Sequence, residues 1–533
     1  MMIHLRIFYA SILFVLLLAV KLKSQAQGYT PSLSVSAPST VKNATTSLDE
    51  YSGAAFTNVP LAPIKAESYT LPINLNYSSQ GIKVGEIAGW VGMGWNLNAG
   101  GVITRQVNDL PDEIILDNQA VGYLHNGTEV DNISNKGILS LSSDEQDFIF
   151  SETQDTEPDV FSFNIGNGIS GKFFFDKNGD PVLESKSDLK IQYEFIGSYG
   201  PSYDHSFLQQ VNNRGLITFF TIITPDGFRF RFDARSYTIS SEIGQLSYRS
   251  SNAFDSIFYS TDCSPMLSNP YQSVDYSEVS AIVAAWHLTS ITSPYQDYQE
   301  NPHTHSDISF SYVDEMYMDH SQIFQWRSKT CDGWPTTNYY TSSSVNLFIQ
   351  KRLSEINYGN GNLNYGKVEF IANQVRDDIY EPSPFNYPKP KALTSIKYYS
   401  GGEKVKEYKL DYGWFNQTSH SCSQPEEPFM QAHRKRLKLE SVTEQNGAKS
   451  LPPYEFDYDP TPLPPRHSAS INYWGYYNGS SNNYFRPQLY AYPQDNVNNN
   501  KYISIFSIYQ RGGYSGSQIT VSGANRDPNA SFS

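Results

Sequence analysis

The sequence predicts an all-β protein in which antiparallel hairpin repeats form a curved sheet or partial β-shell, with tandem β-sandwiches as the alternative. Three observations lead there. Aromatic residues make up 14% of the 533 residues, and the 39 tyrosines equal all Lys and Arg together. Flat rings suit a pleated, half-buried surface. Apolar residues alternate with polar ones at period two in segment after segment, the signature of a strand with one face in the core. The carboxy-terminal half, finally, repeats a two-part pattern that reads as successive hairpins.

The amino terminus sets the compartment. Residues 1–26 read as a secretory signal: Arg6 forms the positive start, residues 7–20 an unbroken apolar run, and Ser24-Gln25-Ala26 a small-x-small site for cleavage between Ala26 and Gln27. Lys21 and Lys23 before that site are unusual. The run is short for a bilayer span, so no transmembrane segment is expected in the mature chain. An exported product, secreted or held at the outer surface or periplasm, follows. Removing the signal takes away three basic residues and no acid, making a chain of formal net charge −15 more acidic still. That balance argues against nucleic acid as a partner, since phosphate binding needs clustered Lys and Arg.

Residues 27–59 are rich in Ser, Thr and Pro and read as an extended linker. An amino-terminal β region is expected over 60–260. Leu71, Ile73, Leu75 and Tyr77 alternate with Pro72, Asn74 and Asn76. Phe161, Phe163 and Ile165 alternate likewise and pair back, across Gly166-Asn167-Gly168, with Lys172-Phe173-Phe174-Phe175. Asp176-Lys177-Asn178-Gly179-Asp180 supplies another turn, and its alternating oxygens lack the length and final Glu of a calcium loop. After Pro225-Asp226-Gly227, Phe228, Phe230 and Phe232 share one face of the clearest strand in the chain.

A degenerate hairpin-repeat region is expected over 261–533. Its units open on Leu288-Thr289-Ser290-Ile291, Leu353-Ser354-Glu355-Ile356, Leu393-Thr394-Ser395-Ile396 and Leu439-Glu440-Ser441-Val442. They close on Ile308-Ser309-Phe310-Ser311-Tyr312, Val368-Glu369-Phe370, Tyr408-Lys409-Leu410-Asp411-Tyr412 and Tyr454-Glu455-Phe456-Asp457-Tyr458. Ser277 to Trp286 has apolar spacing compatible with one short helix. Three cysteines, Cys263, Cys331 and Cys422, allow one disulfide, most naturally Cys263 with Cys331, and no framework.

The most specific segment is residues 81–105, Gly81-Ile82-Lys83-Val84-Gly85-Glu86-Ile87-Ala88-Gly89-Trp90-Val91-Gly92-Met93-Gly94-Trp95-Asn96-Leu97-Asn98-Ala99-Gly100-Gly101-Val102-Ile103-Thr104-Arg105. It resembles the amino-terminal region of the RHS/YD-repeat proteins exported by Bacteroidetes. Gly92 and Gly94 would permit a sharp bend beside Trp90 and Trp95, and Gly100-Gly101 a second turn before a strand ending at Arg105. Similar blocks are Glu157-Pro158-Asp159-Val160, Thr224-Pro225-Asp226-Gly227, Leu463-Pro464-Pro465-Arg466, Tyr473-Trp474-Gly475-Tyr476-Tyr477-Asn478-Gly479 and Gly523-Ala524-Asn525-Arg526. The resemblance implies a shell-like role like that of Tc-type toxin shells, which wind hairpins into a hollow cocoon. It also implies a truncated or split member, because the self-cleaving segment and effector of full-length relatives do not follow here. The implied partner is the remaining repeat/effector chain or an envelope protein.

No residue pattern specifies catalysis, a cofactor or a metal. His303-Thr304-His305 with Asp307 and His320 lacks a defined third ligand, and reads as loop histidines. Asp112-Glu113 and Asp377-Asp378 are neighbours that point to opposite faces, poor geometry for an acid/base pair. The basic run His433-Arg434-Lys435-Arg436 reads as a solvated hairpin end. Tyr473, Trp474 and Tyr477 would stack on glycans if exposed, or plug a β-shell if buried. The expected function is therefore an exported, non-enzymatic structural protein. A secreted carbohydrate-binding protein and a glycan hydrolase with dispersed carboxylates are the alternatives.

Overall fold

The computed structural model describes residues 44–48, 54–66, 69–116, 119–136, 140–150, 154–196, 215–248, 280–294, 307–331, 334–359, 364–380, 388–417, 428–466, 468, 475–477, 479, 488–492 and 505–509. The chain is all-β, with antiparallel sheets dominated by one large curved sheet.

Strands β1 (Thr45–Leu48), β2 (Ala55–Pro60), β3 (Ile64–Lys65), β4 (Thr70–Leu71), β5 (Asn74–Ser78) and β6 (Trp95–Asn98) come first. β1, β2, β5 and β6 form a small sheet in that order, and β3 pairs with β4. The alternation read at Leu71 to Tyr77 puts Leu71, Ile73 and Leu75 in the core. β7 (Val102–Gln106) enters the large sheet. A hairpin of β8 (Ile115–Leu116) and β9 (Gln119–Ala120) and the helices α1 (Tyr123–Ser134) and α2 (Ser143–Phe150) follow it. Neither helix is expected from apolar periodicity, because α1 is polar, lacks a side-chain cap and buries only Gly127 and Ile133. α2 does carry a readable start: the Ser142 Oγ accepts from the Glu145 amide while the Glu145 carboxylate accepts from the Ser142 amide.

The expected Phe hairpin is β10 (Val160–Asn164) with β11 (Ser170–Phe175), in register Phe161 to Phe173. Its turn to β12 (Pro181–Ser185) is closed by Asp176, whose Oδ1 accepts from the Asn178 and Asp180 amides. Then come β13 (Lys190–Ile196), β14 (Leu216–Ile223), β15 (Arg229–Tyr248) and β16 (Ser280–Thr292). Here the short helix expected at Ser277 to Trp286 is corrected to strand: β16 is central, paired with both β15 and β7. A bulge that skips Ala284 puts three positions between the buried Val283 and Trp286, which imitates helical spacing. Trp286 is fully buried, within 6 Å of the Phe161 and Phe220 rings. Such ring contacts add ~1 kcal/mol each beyond area burial.

The repeats form a meander of β16, β17 (Ile308–Cys331), β18 (Trp334–Gly359), β19 (Asn364–Val375), β20 (Lys391–Ser400) and β21 (Glu403–Trp414). After helix α3 (Pro428–Arg434) it continues through β22 (Leu437–Asn446), β23 (Lys449–Ser450) and β24 (Tyr454–Glu455). A separate hairpin joins β25 (Gln488–Tyr492) to β26 (Ile505–Tyr509).

Each of the four opening motifs makes the same bulge. Leu288, Leu353, Leu393 and Leu439 face Phe232, Tyr312, Ala372 and Tyr412 of the preceding strand, and in every case the residue after the Leu is skipped. A bulge leaves its extra residue out of the pairing, next to a carbonyl of the partner strand. In three units the skipped hydroxyl donates to it: Thr289 to Arg231 O at 3.1 Å, Ser354 to Ser311 O at 2.9 Å and Thr394 to Ile371 O at 3.0 Å. The last residue of the closing motif returns the favour. Tyr312, Tyr412 and Tyr458 each donate to the carbonyl of their own unit's opening residue, Leu288, Leu393 and Leu439, at 2.6 Å. Ala372 stands at this position in the second unit. The small sheet is joined to this face, with Tyr398 donating to Ala62 O at 2.7 Å, and residues of both sheets belong to one continuous core.

Candidate functional site

The segment 89–101 runs across the meander and touches all four units. The Gly101 carbonyl accepts from the Leu288 amide at 3.0 Å, the Trp90 carbonyl from the Leu393 amide at 2.9 Å, and the Met93 amide donates to Leu437 O at 2.9 Å. Its side chains pack on the closing motifs. Trp90 meets Phe370 with ring centres 6.5 Å apart; Trp95 meets Phe456 at 4.5 Å and donates from Nε1 to the Tyr458 hydroxyl at 2.8 Å. The glycines allow this approach. Gly92 has φ +105°, a left-handed conformation, and a Cβ there would lie 3.1 Å from the Leu439 amide. At Gly101 a Cβ would lie 3.0 Å from Asn164 O and 3.2 Å from the Phe232 ring. Gly94 turns at φ +75° against Tyr77, and Gly100 lies under the Phe310 ring.

Two buried guanidinium groups fasten the segment leading into this block, and a third braces their surroundings. Arg376 binds Asp378 through Nε and Nη2, at 2.7 and 2.8 Å, and donates to the Ala88 and Gly89 carbonyls. Arg436 bridges Val84 O and Pro464 O, both at 2.7 Å. Arg466, of the Leu463-Pro464-Pro465-Arg466 block, reaches Asp319 and Asp378 O. The solvated reading of His433 to Arg436 is thus corrected: His433, Arg434 and Arg436 are buried, and only Lys435 lies near the surface, paired with Asp377. Arginine spacing in the sequence does not reveal which carbonyls such groups will reach.

Arg105, at the end of β7, organises a second constellation. It pairs with Glu113 and Asp159 and lies between the Phe161 and Trp286 rings, 5.5 and 5.9 Å from their centres. The Asp159 amide donates to Asp112 Oδ1 at 2.9 Å, and the Asp112 amide to Asp159 Oδ2 at 3.2 Å. Adjacency in sequence thus hid what distance brought together: Asp112 meets Asp159 of the Glu157-Pro158-Asp159 block. Burial, then the neighbouring Asp159 charge, holds the Asp112 carboxyl well above the usual carboxylate range. Burial likewise lifts Asp155 to about 7, against the Tyr123 amide that hydrogen-bonds it. One guanidinium thus faces a cluster of several buried acids.

Between the block and the repeats lies a cleft of about 460 Å³. Asn76, Asn96 and Asn98 of the small sheet form one wall. His287, Tyr312, Glu315, Tyr317, Gln350 and Arg352 form the other, with Trp90 and Gly100 between. Arg352 Nε pairs with Glu315 at 2.5 Å, and desolvation raises Glu315 against that pairing. His287 shares a 2.8 Å hydrogen bond with Ser236 Oγ; burial first, and Lys351 second, lower it to about 4, so the ring is neutral at pH 7.

The remaining signature residues lie apart. Asp226 and Gly227 make the turn into β15, Gly227 with φ +88° and its amide on Thr224 O. Gly475 O accepts from the Val84 amide, the Tyr476 ring covers Gly81, and half-buried Tyr477 packs beside Leu463. Gly479 is exposed with φ +72°. Ala26, Gln27, Tyr473, Trp474 and Asn478 lie outside the described residues, as do Cys263, Cys422 and His303 to His305. Among the described residues no three His, Cys, Asp or Glu side chains form a candidate metal site, and no helix is long and apolar enough to cross a membrane. No protein-family model matches the chain, and no curated protein matches it.

Proposed function

We propose that this is an exported, non-enzymatic structural protein: an RHS-like β-shell protein that houses or presents a partner carried on another chain or in the envelope. The observation that carries the reading is the crossing block, which touches all four hairpin units and holds them in one curved meander. A segment specialised to register repeats belongs to a scaffold whose geometry matters over many strands. Arg105, Trp90 and Trp95 serve that scaffold, and the described Tyr476 and Tyr477 contribute packing beside it. Sequencing the amino terminus of the secreted chain is expected to give Gln27 first. The chain purified from culture medium is expected to carry a second polypeptide with the same Leu-x-x-Ile openings and aromatic closings. Retention in the cell with residues 1–26 intact, or a secreted chain whose only stable partners lack such repeats, would overturn the proposal.

A further inference from the structure

We propose that the cleft between the small sheet and the hairpin units binds a neutral saccharide. Its 460 Å³ falls within the range of about 300–1,000 Å³ usual for small-molecule clefts. The three cations on its wall are already matched: Lys351 with Asp314 at 2.7 Å, Arg352 with Glu315 at 2.5 Å, and Arg376 with Asp378 at 2.7 Å. His287 is neutral near pH 7. A charged ligand would therefore meet no unmatched charge in exchange for its hydration.

What the walls do offer is neutral and planar. Asn96 and Asn98 lie on the face of β6 away from the core, opposite Asn76 and Asn74 of β5, and make no side-chain hydrogen bond among the described residues. Each amide presents two donors and an acceptor, which matches the adjacent hydroxyls of a sugar ring. Asn76 is oriented by the 2.7 Å bond that its Oδ1 accepts from Asn58. Half-buried Trp90 and Tyr312 supply ring faces for the apolar side of a pyranose, and Gln350 adds an exposed amide opposite the asparagines. The Tyr312 hydroxyl is occupied by Leu288 O, so its ring is fixed in place before any ligand arrives. Preorganised planes and amides lower the ordering cost of binding.

The site lies within this chain, so the purified chain alone tests it, and its failure would leave the shell proposal standing. Calorimetric titration with cellotetraose, maltotetraose and N,N′-diacetylchitobiose is expected to show saturable binding of at least one. Sialylated and sulfated oligosaccharides and an extended neutral peptide of similar length are expected to bind more weakly. Asn96→Ala with Asn98→Ala is expected to weaken the binding about tenfold, the loss of one to two hydrogen bonds, without moving the thermal midpoint. Asn96→Asp, an isosteric change at an exposed position, is the second variant should the first disturb folding. No binding of any neutral sugar, a preference for the charged glycans or the peptide, or neutral-sugar binding unchanged in a folded variant would overturn the assignment.

Discussion

In the hairpin meander the same neutral bonds recur unit after unit, whereas the block that crosses it is fastened by buried guanidinium groups, each used once. The meander joins Tyr to Leu carbonyls and Thr or Ser to bulge carbonyls, and keeps its pairing where the Tyr is replaced, as at Ala372. The block has no such redundancy. Arg376 supplies the bond to Ala88 O, shares Gly89 O with the Gly92 amide, and matches the buried Asp378. Repetition spreads an interaction over many weak, replaceable bonds; a unique crossing concentrates it.

That contrast is broken most directly at Arg376. Arg376→Leu leaves the Asp378 charge and the Ala88 carbonyl buried without the guanidinium, and a loss of about 3–5 kcal/mol is expected. Urea unfolding that shows no larger loss than a meander variant would erase the distinction.

The Arg105 cluster extends the comparison to pH. A carboxyl raised in the folded chain stabilises it fully below its unfolded value, and that contribution disappears as pH rises through the folded value. Asp155, lifted to about 7, therefore stabilises at mildly acidic pH and loses that contribution toward pH 8, and Asp112 and Asp159, both raised, act in the same direction. Glu407 acts oppositely. Desolvation would raise it, but hydrogen bonds led by the one from Lys404 bring it down to about 2, so its contribution disappears as pH falls from its ordinary value through 2. A higher thermal midpoint at pH 5 than at pH 8 is expected by circular dichroism. In Asp155→Asn the difference should shrink.

Backbone effects come next. Gly92→Ala meets both a positive φ and the Leu439 amide, and is expected to cost roughly 1–3 kcal/mol. Gly401→Ala shares the positive φ, +57°, but faces open space, and about 1 kcal/mol is expected. Equal losses would mean that the crossing is not tight. The smallest effect belongs to the repeated bonds: Tyr412→Phe should cost about 1 kcal/mol, with Leu393 O left unpaired at its hydroxyl side.

The same contrast explains what was legible in the sequence. Repeated chemistry leaves a period, so the Leu-x-x-Ile openings, the closing tyrosines and the Phe strands at 161–175 and 228–232 could be read directly. The bend glycines of the block were readable too, because only a small residue tolerates positive φ beside tryptophan. The partners were not. Nothing local links Asp112 to Asp159, Arg436 to Val84, or Asn96 to a cleft shared with Arg352, since those pairings are made by topology. Apolar spacing misled at Trp286, where a bulge at Ala284 shifts the alternation of the strand. The Ser142-x-x-Glu145 start of α2 was the one helical signal available.

The central claim is that the crossing block registers the hairpin units. Native-state hydrogen exchange of the Leu288 and Leu393 amides tests it most directly. Both begin a bulge, and only Gly101 O and Trp90 O of the block protect them. The account predicts exchange as slow as that of Ile396 in the neighbouring ladder; exchange at the rate of an open turn such as Gly401-Gly402 would contradict it.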